Sequence, residues 1–227
     1  MPDAPPNPEL LRSLRRLARG LSALFWGLPV ALILCVATGR ADLLKPLGLV
    51  PVAVALALLF YGLGQMAHFQ PQERPWRNAL DRARLLALVN LGLSPFLYLQ
   101  NRLPGQLFFQ FSVGLLALSG LVFLFNLNLV LLRLGAMLPD ETLRQETRQF
   151  TALNRVLLAV LLIVVTLYFG LRAIPGVAGK LIFIVVWLER TSLISLILLV
   201  LLPLAMTMAL LWKTKEVILE SVFGAGR

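Results

Sequence analysis

The chain has 227 residues, of which 59% are hydrophobic and only 14% are charged. Soluble domains are about 45–50% apolar and about 25% charged, and a chain of this size could not bury so much apolar surface in a water-soluble core. The composition therefore excludes an ordinary soluble domain. It predicts an all-α, polytopic bundle of transmembrane helices.

The formal net charge of +10 reflects 21 Lys and Arg residues against 11 Asp and Glu residues. In a soluble protein this excess would suggest nucleic-acid binding, but here the basic residues fall between long apolar segments, a pattern that orients membrane proteins. No nucleic-acid-binding motif is present. The expected partners are the lipid bilayer, the anionic lipids of its inner leaflet and, as a further candidate, other membrane protein subunits.

Six apolar segments approach the roughly 20 residues that a helix needs to cross a bilayer. They cover residues 21–38, 47–66, 85–100, 107–132, 156–174 and 192–212. We expect residues 1–20 to form a basic, amphipathic cytoplasmic lead-in, residues 21–212 the transmembrane domain, and residues 213–227 a cytoplasmic tail. The apolar residues 181–188 are too few to cross, so they could lie at the interface, re-enter the bilayer or extend the last span.

The distribution of basic residues predicts the orientation of these six spans. Fifteen of the 21 Lys and Arg residues fall on the side that holds both termini, and six fall on the other side. Basic loops stay in the cytoplasm, so both termini are predicted to be cytoplasmic. A rival interpretation takes Arg12–Arg19 as the basic region and Leu21–Ala37 as the apolar region of a cleaved signal peptide, which would leave the other five spans in the same orientation.

Prolines predict where several helices begin or bend. Pro8 suits the first turn of a helix, and Pro71 with Pro75 predicts a bend followed by a new helix near Trp76. A helix that starts at Glu141 and continues into the fifth span would cover Glu141–Ile174, about 51 Å. Three further prolines near the middle of the first, third and sixth spans predict kinks, and they are Pro29, Pro95 and Pro203.

Polar side chains within the spans form the first candidate site. They include Asn90, Ser94, Asn126 and Asn128. Asn90 and Ser94 are four residues apart and share a helix face. Such groups either bond across helices or line a polar cavity, and a cavity among proline-kinked helices would indicate a small transporter or solute-binding protein.

The second candidate site is the adjacent pair Glu189 and Arg190 at the outer boundary of the predicted bundle. Charged residues near a membrane core mark functional sites by default, so a lipid-modifying enzyme that uses this pair or His68 is a further alternative. The chain has one His and one Cys, Cys35, which cannot build a multi-ligand metal site. We therefore expect no cofactor and no metal, and the sequence does not support a catalytic motif.

The third candidate is a partner-docking face on the helix that starts at Glu141. Its charged residues of both signs are Glu141, Arg144, Glu146 and Arg148. The leading hypothesis is a non-catalytic subunit or scaffold of a membrane complex. The excess of Arg over Lys and the abundance of Leu and Ala suggest a GC-rich genome, and hence a bacterial inner membrane.

Overall fold

The computed structural model describes residues 8–40, 47–70, 72–103, 105–137, 141–173 and 200–219, which are helical apart from short turns. The named helices are α1 (Pro8–Arg40), α2 (Val50–Met66), α3 (Arg74–Leu93), α4 (Pro95–Arg102), α5 (Leu107–Met137) and α6 (Glu141–Ala173). Residues 200–219 are also helical and are called α7. The prediction of an all-α bundle is confirmed.

Four segments of these helices are long and apolar enough to cross a membrane. They are Leu11–Gly39, Arg74–Arg102, Leu107–Met137 and Thr147–Thr166, and α2 is a shorter apolar helix of 17 residues. Many large apolar side chains on these helices are exposed, among them Trp26, Val54 and Phe111. Because lipid is the solvent that tolerates such a surface, the chain is a helical membrane protein.

The helix start predicted after the second span is confirmed at Pro75. α2 ends at Met66, and α3 begins at Arg74 with Pro75 in its first turn. α1 continues through Pro29, and α6 covers Glu141–Ala173, within one residue of the predicted unbroken helix.

The third predicted span is the one that differs most from its expected bounds. The apolar residues 85–100 belong to a helical unit that starts at Arg74, close to the new helix predicted near Trp76, and that runs to Arg102 with an interruption at Ser94. Pro95 has no N–H group to donate to the carbonyl of Leu91. The backbone N–H and the hydroxyl of Ser94 donate to that carbonyl instead, at 3.3 and 2.8 Å, so the break leaves no unpaired oxygen at Leu91.

The helices pack as a chain of neighbours. α1 contacts α2, α2 contacts α3, α3 contacts α5, and α5 contacts α6, while α4 lies against α1 and α5. The N-terminal part of α1, the α2–α3 turn, the end of α5, the start of α6 and the C-terminal part of α7 therefore lie at one end of the bundle. We call this the basic end, because most of the described Lys and Arg residues belong to it.

The opposite end is joined by a contact between the end of α1 and α4. The side-chain amide of Asn101 donates to the carbonyl oxygen of Thr38 at 3.3 Å. At the basic end, the indole of Trp76 donates to the carbonyl oxygen of Phe69 at 3.0 Å and closes the α2–α3 turn. Residues 181–188, Glu189 and Arg190 lie outside the described residues.

Two glycines set the distance between α1 and α2. A Cβ atom on Gly20 would lie 2.7 Å from the carbonyl oxygen of Gly62, and a Cβ atom on Gly62 would lie 3.0 Å from that of Gly20. Both distances are below an ordinary contact, so the two backbones can approach this closely only because neither position carries a side chain.

Candidate functional site

A cluster of buried amides and a hydroxyl joins α5, α6 and α7. Asn128, Asn154 and Thr207 are each 0% exposed. The amide nitrogen of Asn154 lies 3.0 Å from Asn128 Oδ1, 3.0 Å from Thr207 Oγ1 and 3.2 Å from the carbonyl oxygen of Pro203. The amide nitrogen of Asn128 lies 3.0 Å from Thr207 Oγ1, so each of the three side chains contacts the other two.

The orientation of both amides follows from their backbone neighbours. Asn128 must turn its nitrogen to the carbonyl oxygen of Leu124, at 2.9 Å, because a carbonyl only accepts. Asn128 Oδ1 is then an acceptor, and Asn154 must present its nitrogen to this oxygen and to the carbonyl of Pro203. Asn154 therefore places its nitrogen among three acceptors, although it has only two hydrogens to donate.

The opposite atom of the same amide is left without a partner. Asn154 Oδ1 is buried and accepts no hydrogen bond from the described residues. Two threonines earlier on the same face of α6 share this property, since the hydroxyl oxygens of Thr147 and Thr151 are also buried and unpaired within the described chain. We call Thr147, Thr151 and Asn154 the α6 polar face.

The threonines of this face share their unpaired hydroxyls with Thr38 and Ser119 among the described residues, and they differ from most other hydroxyl residues of the bundle. Five hydroxyls donate to the carbonyl four residues earlier in their own helix, at 2.7–2.9 Å. These belong to Ser22, Ser112, Thr166, Thr207 and Thr214. That bond is the usual way to satisfy a hydroxyl inside a helix, and Thr147 and Thr151 do not make it.

The α6 polar face meets α5 at close range near the basic end. A Cβ atom on Gly135 would lie 3.3 Å from Thr147 Cγ2 and 3.4 Å from Thr147 Oγ1. Farther into the bundle, the guanidinium of Arg155 lies 5.0 Å from the centre of the Phe125 ring, a cation–π contact between the same two helices. Close packing at Gly135, an amide hydrogen bond and this cation–π contact together hold α6 against α5.

The four predicted polar candidates are placed in different surroundings. Asn128 belongs to the cluster, whereas the amide nitrogen of Asn126 donates to the carbonyl of Val122 in its own helix at 2.8 Å. Asn90 is buried with its Oδ1 unpaired among the described residues, and Ser94 donates to the carbonyl of Leu91. The hydrogen bonds thus join Asn128 to α6 and α7, and they do not link it to Asn90, Ser94 or Asn126.

The predicted docking face lies on the first half of α6. Glu141, Arg144 and Arg148 are exposed, and Glu146 belongs to the same helix. Two large apolar residues of this segment, Phe150 and Leu153, are also exposed, at 45% and 56%. The segment therefore turns its threonines inward and these apolar side chains outward.

The remaining candidate residues make few contacts in the described structure. His68 is exposed, and its Nδ1 lies 3.2 Å from the carbonyl oxygen of Gly64. Cys35 is a half-buried free thiol. Within the described ranges, no group of three His, Cys, Asp or Glu side chains could hold a metal ion.

An open cleft of about 310 Å³ lies at the basic end between the α2–α3 turn and the end of α5. Its lining residues are Gln70, Glu73, Pro75, Arg133, Ala136 and Met137. Arg133 and Glu73 give the cleft one charge of each sign. It is wide open to the surroundings and lies on the side of α5 away from Gly135.

Sequence reasoning missed Asn154, Thr207, Thr147 and Thr151. A signal was present in α6, because positions 147, 151 and 154 follow the i, i+4, i+7 spacing of one helix face. The apolar Phe150 and Leu153 on another face of the same helix also have helical spacing, and the structure leaves both exposed. No family model, curated protein or solved structure matches this chain.

Proposed function

We propose that this chain is a non-catalytic subunit or scaffold of a complex in a bacterial inner membrane. In this proposal it crosses the membrane six times, with both termini and the basic end in the cytoplasm. The excess of basic residues on that side supports the orientation, and the Arg-rich, Leu-rich and Ala-rich composition supports the bacterial origin. Anionic inner-leaflet lipids would surround the arginines of the basic end.

The outward surface of the first half of α6 is the observation that carries this proposal. Phe150 and Leu153 are exposed next to the exposed Arg148. These residues precede the predicted fifth span and lie in the first two turns of the apolar segment Thr147–Thr166, so in the proposed topology they stand at the edge of the bilayer rather than in its core. Large apolar side chains within a polar rim are typical of protein interfaces. The occupant that fits best is a helix of another subunit that packs its apolar face against Phe150 and Leu153.

Native purification tests the proposal with two matched double variants. Phe150→Ser with Leu153→Ser removes the apolar part of the docking surface. Leu85→Ser with Leu88→Ser is the control, because these leucines are at least as exposed on average but lie on α3. The complex mass would be measured by native mass spectrometry after extraction in a mild detergent.

The expected result is a wild-type particle that contains partner chains in fixed stoichiometry and that is lost only in the α6 double variant. The α3 double variant should keep the partner chains. A wild-type protein that elutes without partners, or an α6 double variant with an unchanged particle mass, would refute the proposal.

A solute-binding protein or small transporter is the second candidate, and the break in the third helical unit favours it. Asn90 Oδ1 is buried and unpaired within the described chain, one turn before the interruption at Ser94. Interrupted helices place polar groups at the midplane sites of transporters. A solute that raises the melting temperature of the wild type and of Asn126→Leu, but not of Asn90→Leu, would support this candidate; a shift that survives in Asn90→Leu would argue against it.

A further inference from the structure

The open cleft at the basic end is large enough to hold a small polar group. Its volume of about 310 Å³ lies at the lower end of the range for small-molecule sites. One side of the cleft is the end of α5, which contributes Arg133, and the other is the α2–α3 turn, which contributes Gln70 and Glu73. The kind of molecule that can enter depends on where the cleft lies relative to the bilayer.

The length of α5 places the cleft at the level of the lipid headgroups. Residues 107–132 carry no charged side chain, and Arg133 follows them, about 39 Å along the helix from Leu107. The hydrocarbon core is about 30 Å thick, so an α5 that crosses it brings Arg133 out of the acyl chains. This depth is the same whichever end of the bundle faces the cytoplasm, so the inference goes beyond the proposed function and does not depend on it.

The α2–α3 turn holds its side of the cleft in a defined conformation. The carbonyl of Gln70 accepts from the backbone N–H of Glu73 at 3.2 Å, and the buried rings of Phe69 and Trp76 pack in a T-shaped contact behind the turn. Gln70 has a φ of 42°, the one positive value at a non-glycine residue in the described part of the chain. Such strained residues concentrate at functional sites, and a preformed side of a cleft lowers the ordering that opposes binding.

The two charged side chains of the cleft suit a group that carries both signs. Arg133 and Glu73 are exposed, and no salt bridge joins them in the described structure. A guanidinium donates charge-assisted hydrogen bonds to phosphate oxygens, and a carboxylate accepts them from an ammonium group. A headgroup with a phosphate and no amine would leave Glu73 beside a like charge. A quaternary ammonium is recognised by aromatic rings, and the described lining of the cleft contains none.

We propose that this cleft binds the headgroup of one zwitterionic phospholipid with a primary amine, the chemistry of phosphatidylethanolamine. Arg133 donates to the phosphate, and Glu73 accepts from the ammonium group. Ala136 and Met137 give the cleft an apolar part, which suits the glycerol backbone of the lipid. Because the cleft is open at headgroup depth, the headgroup enters it while the acyl chains stay in the hydrocarbon beside the bundle.

Native mass spectrometry of the full chain in detergent tests the proposal. Dioleoyl phosphatidylethanolamine and dioleoyl phosphatidylglycerol are added at equal concentration, so the two probes differ only in the headgroup. In the wild type, we expect the first ethanolamine-lipid adduct to exceed the glycerol-lipid adduct about three- to fivefold. Glu73→Gln should abolish this preference, and Arg133→Gln should lower both adducts. The matched controls Asp81→Asn and Arg82→Gln change exposed charges on α3 outside the cleft, and both should behave as the wild type.

Three results would overturn the proposal. Equal adducts in the wild type, or a preference that survives in Glu73→Gln, would show that the carboxylate does not select the amine. A preference lost equally in Asp81→Asn would show an effect of net charge rather than of the cleft. Soluble phosphoethanolamine at the same concentration should form no adduct, because it has no acyl chains; an adduct as abundant as that of the lipid would show a site for a free solute and overturn the assignment to a lipid.

Discussion

Two helix interfaces in this bundle achieve close packing by opposite chemical means. At the α1–α2 crossing, Gly20 and Gly62 bring two backbones together because neither carries a side chain. At the α5–α6–α7 junction, Asn128, Asn154 and Thr207 bond to one another across three helices. Helices that associate in lipid gain little free energy from the hydrophobic effect. Close backbone packing and interhelical hydrogen bonds must therefore stabilise the association.

The comparison shows that the two interfaces should fail in different ways. A glycine contact depends on the absence of atoms, so any added carbon forces the helices apart. A hydrogen-bonded junction depends on the presence of specific partners, so removing one leaves the others unsatisfied. The first interface should therefore tolerate no enlargement, and the second should tolerate no loss of polarity.

The largest expected effect comes from Gly20→Ala. The new Cβ atom would lie 2.7 Å from the carbonyl oxygen of Gly62 and 2.8 Å from Met66 Cγ, and a backbone atom cannot move aside as a side chain can. We expect a loss of about 3 kcal/mol in the free energy of unfolding, measured by denaturant titration in detergent. Gly92→Ala is the control, because a Cβ atom at this position meets nothing within 4 Å. This substitution should raise the free energy of unfolding by roughly 0.5–1 kcal/mol, since alanine favours the helix. Equal stability of the two variants would show that α1 and α2 are not in this contact.

The next effect comes from Asn154→Leu, which breaks the polar junction. Asn128 Oδ1 and the carbonyl of Pro203 both lose a donor, and we expect a loss of about 2 kcal/mol. Asn126→Leu serves as the matched control, since Asn126 bonds only within its own helix in the described structure, and it should change the stability by less than about 0.5 kcal/mol. If both substitutions cost the same, the hydrogen bonds across the helices contribute nothing beyond those within one helix.

The sequence predicted the helix starts and breaks that a single proline determines through its own backbone. Pro75 and Pro95 lack an N–H group, so they set a helix start and a helix break that could be predicted from position alone. The helical bounds of α6 were predicted for a similar reason, because caps and periodicity are local. The apolar segments follow directly from composition, and the start of α3 before its apolar segment follows from Pro75.

The polar junction could not be predicted because it depends on which helix faces meet. Asn128 was recognised as a candidate, but its partners lie 26 and 79 residues away in sequence. On α6, both the apolar set with Phe150 and the polar set with Thr151 have helical spacing, and membrane helices do not follow the rule that apolar faces turn inward. Periodicity identified two faces of α6, and only tertiary packing chose between them.

The smallest expected effect comes from Gly135→Ala, which adds a methyl group at the polar junction as Gly20→Ala does at the α1–α2 crossing. Gly135→Ala would place a Cβ atom 3.3 Å from Thr147 Cγ2, a tight contact that a small shift of one side chain can relieve. The helical preference of alanine offsets part of the cost, so we expect a net loss of about 1 kcal/mol. Gly120→Ala, on the same helix with nothing within 4 Å of its Cβ atom, should instead gain stability. In a Thr147→Ala background the cost of Gly135→Ala should fall by at least half; if it does not, α6 approaches α5 through its hydrogen bonds alone, and the two interfaces share no packing principle.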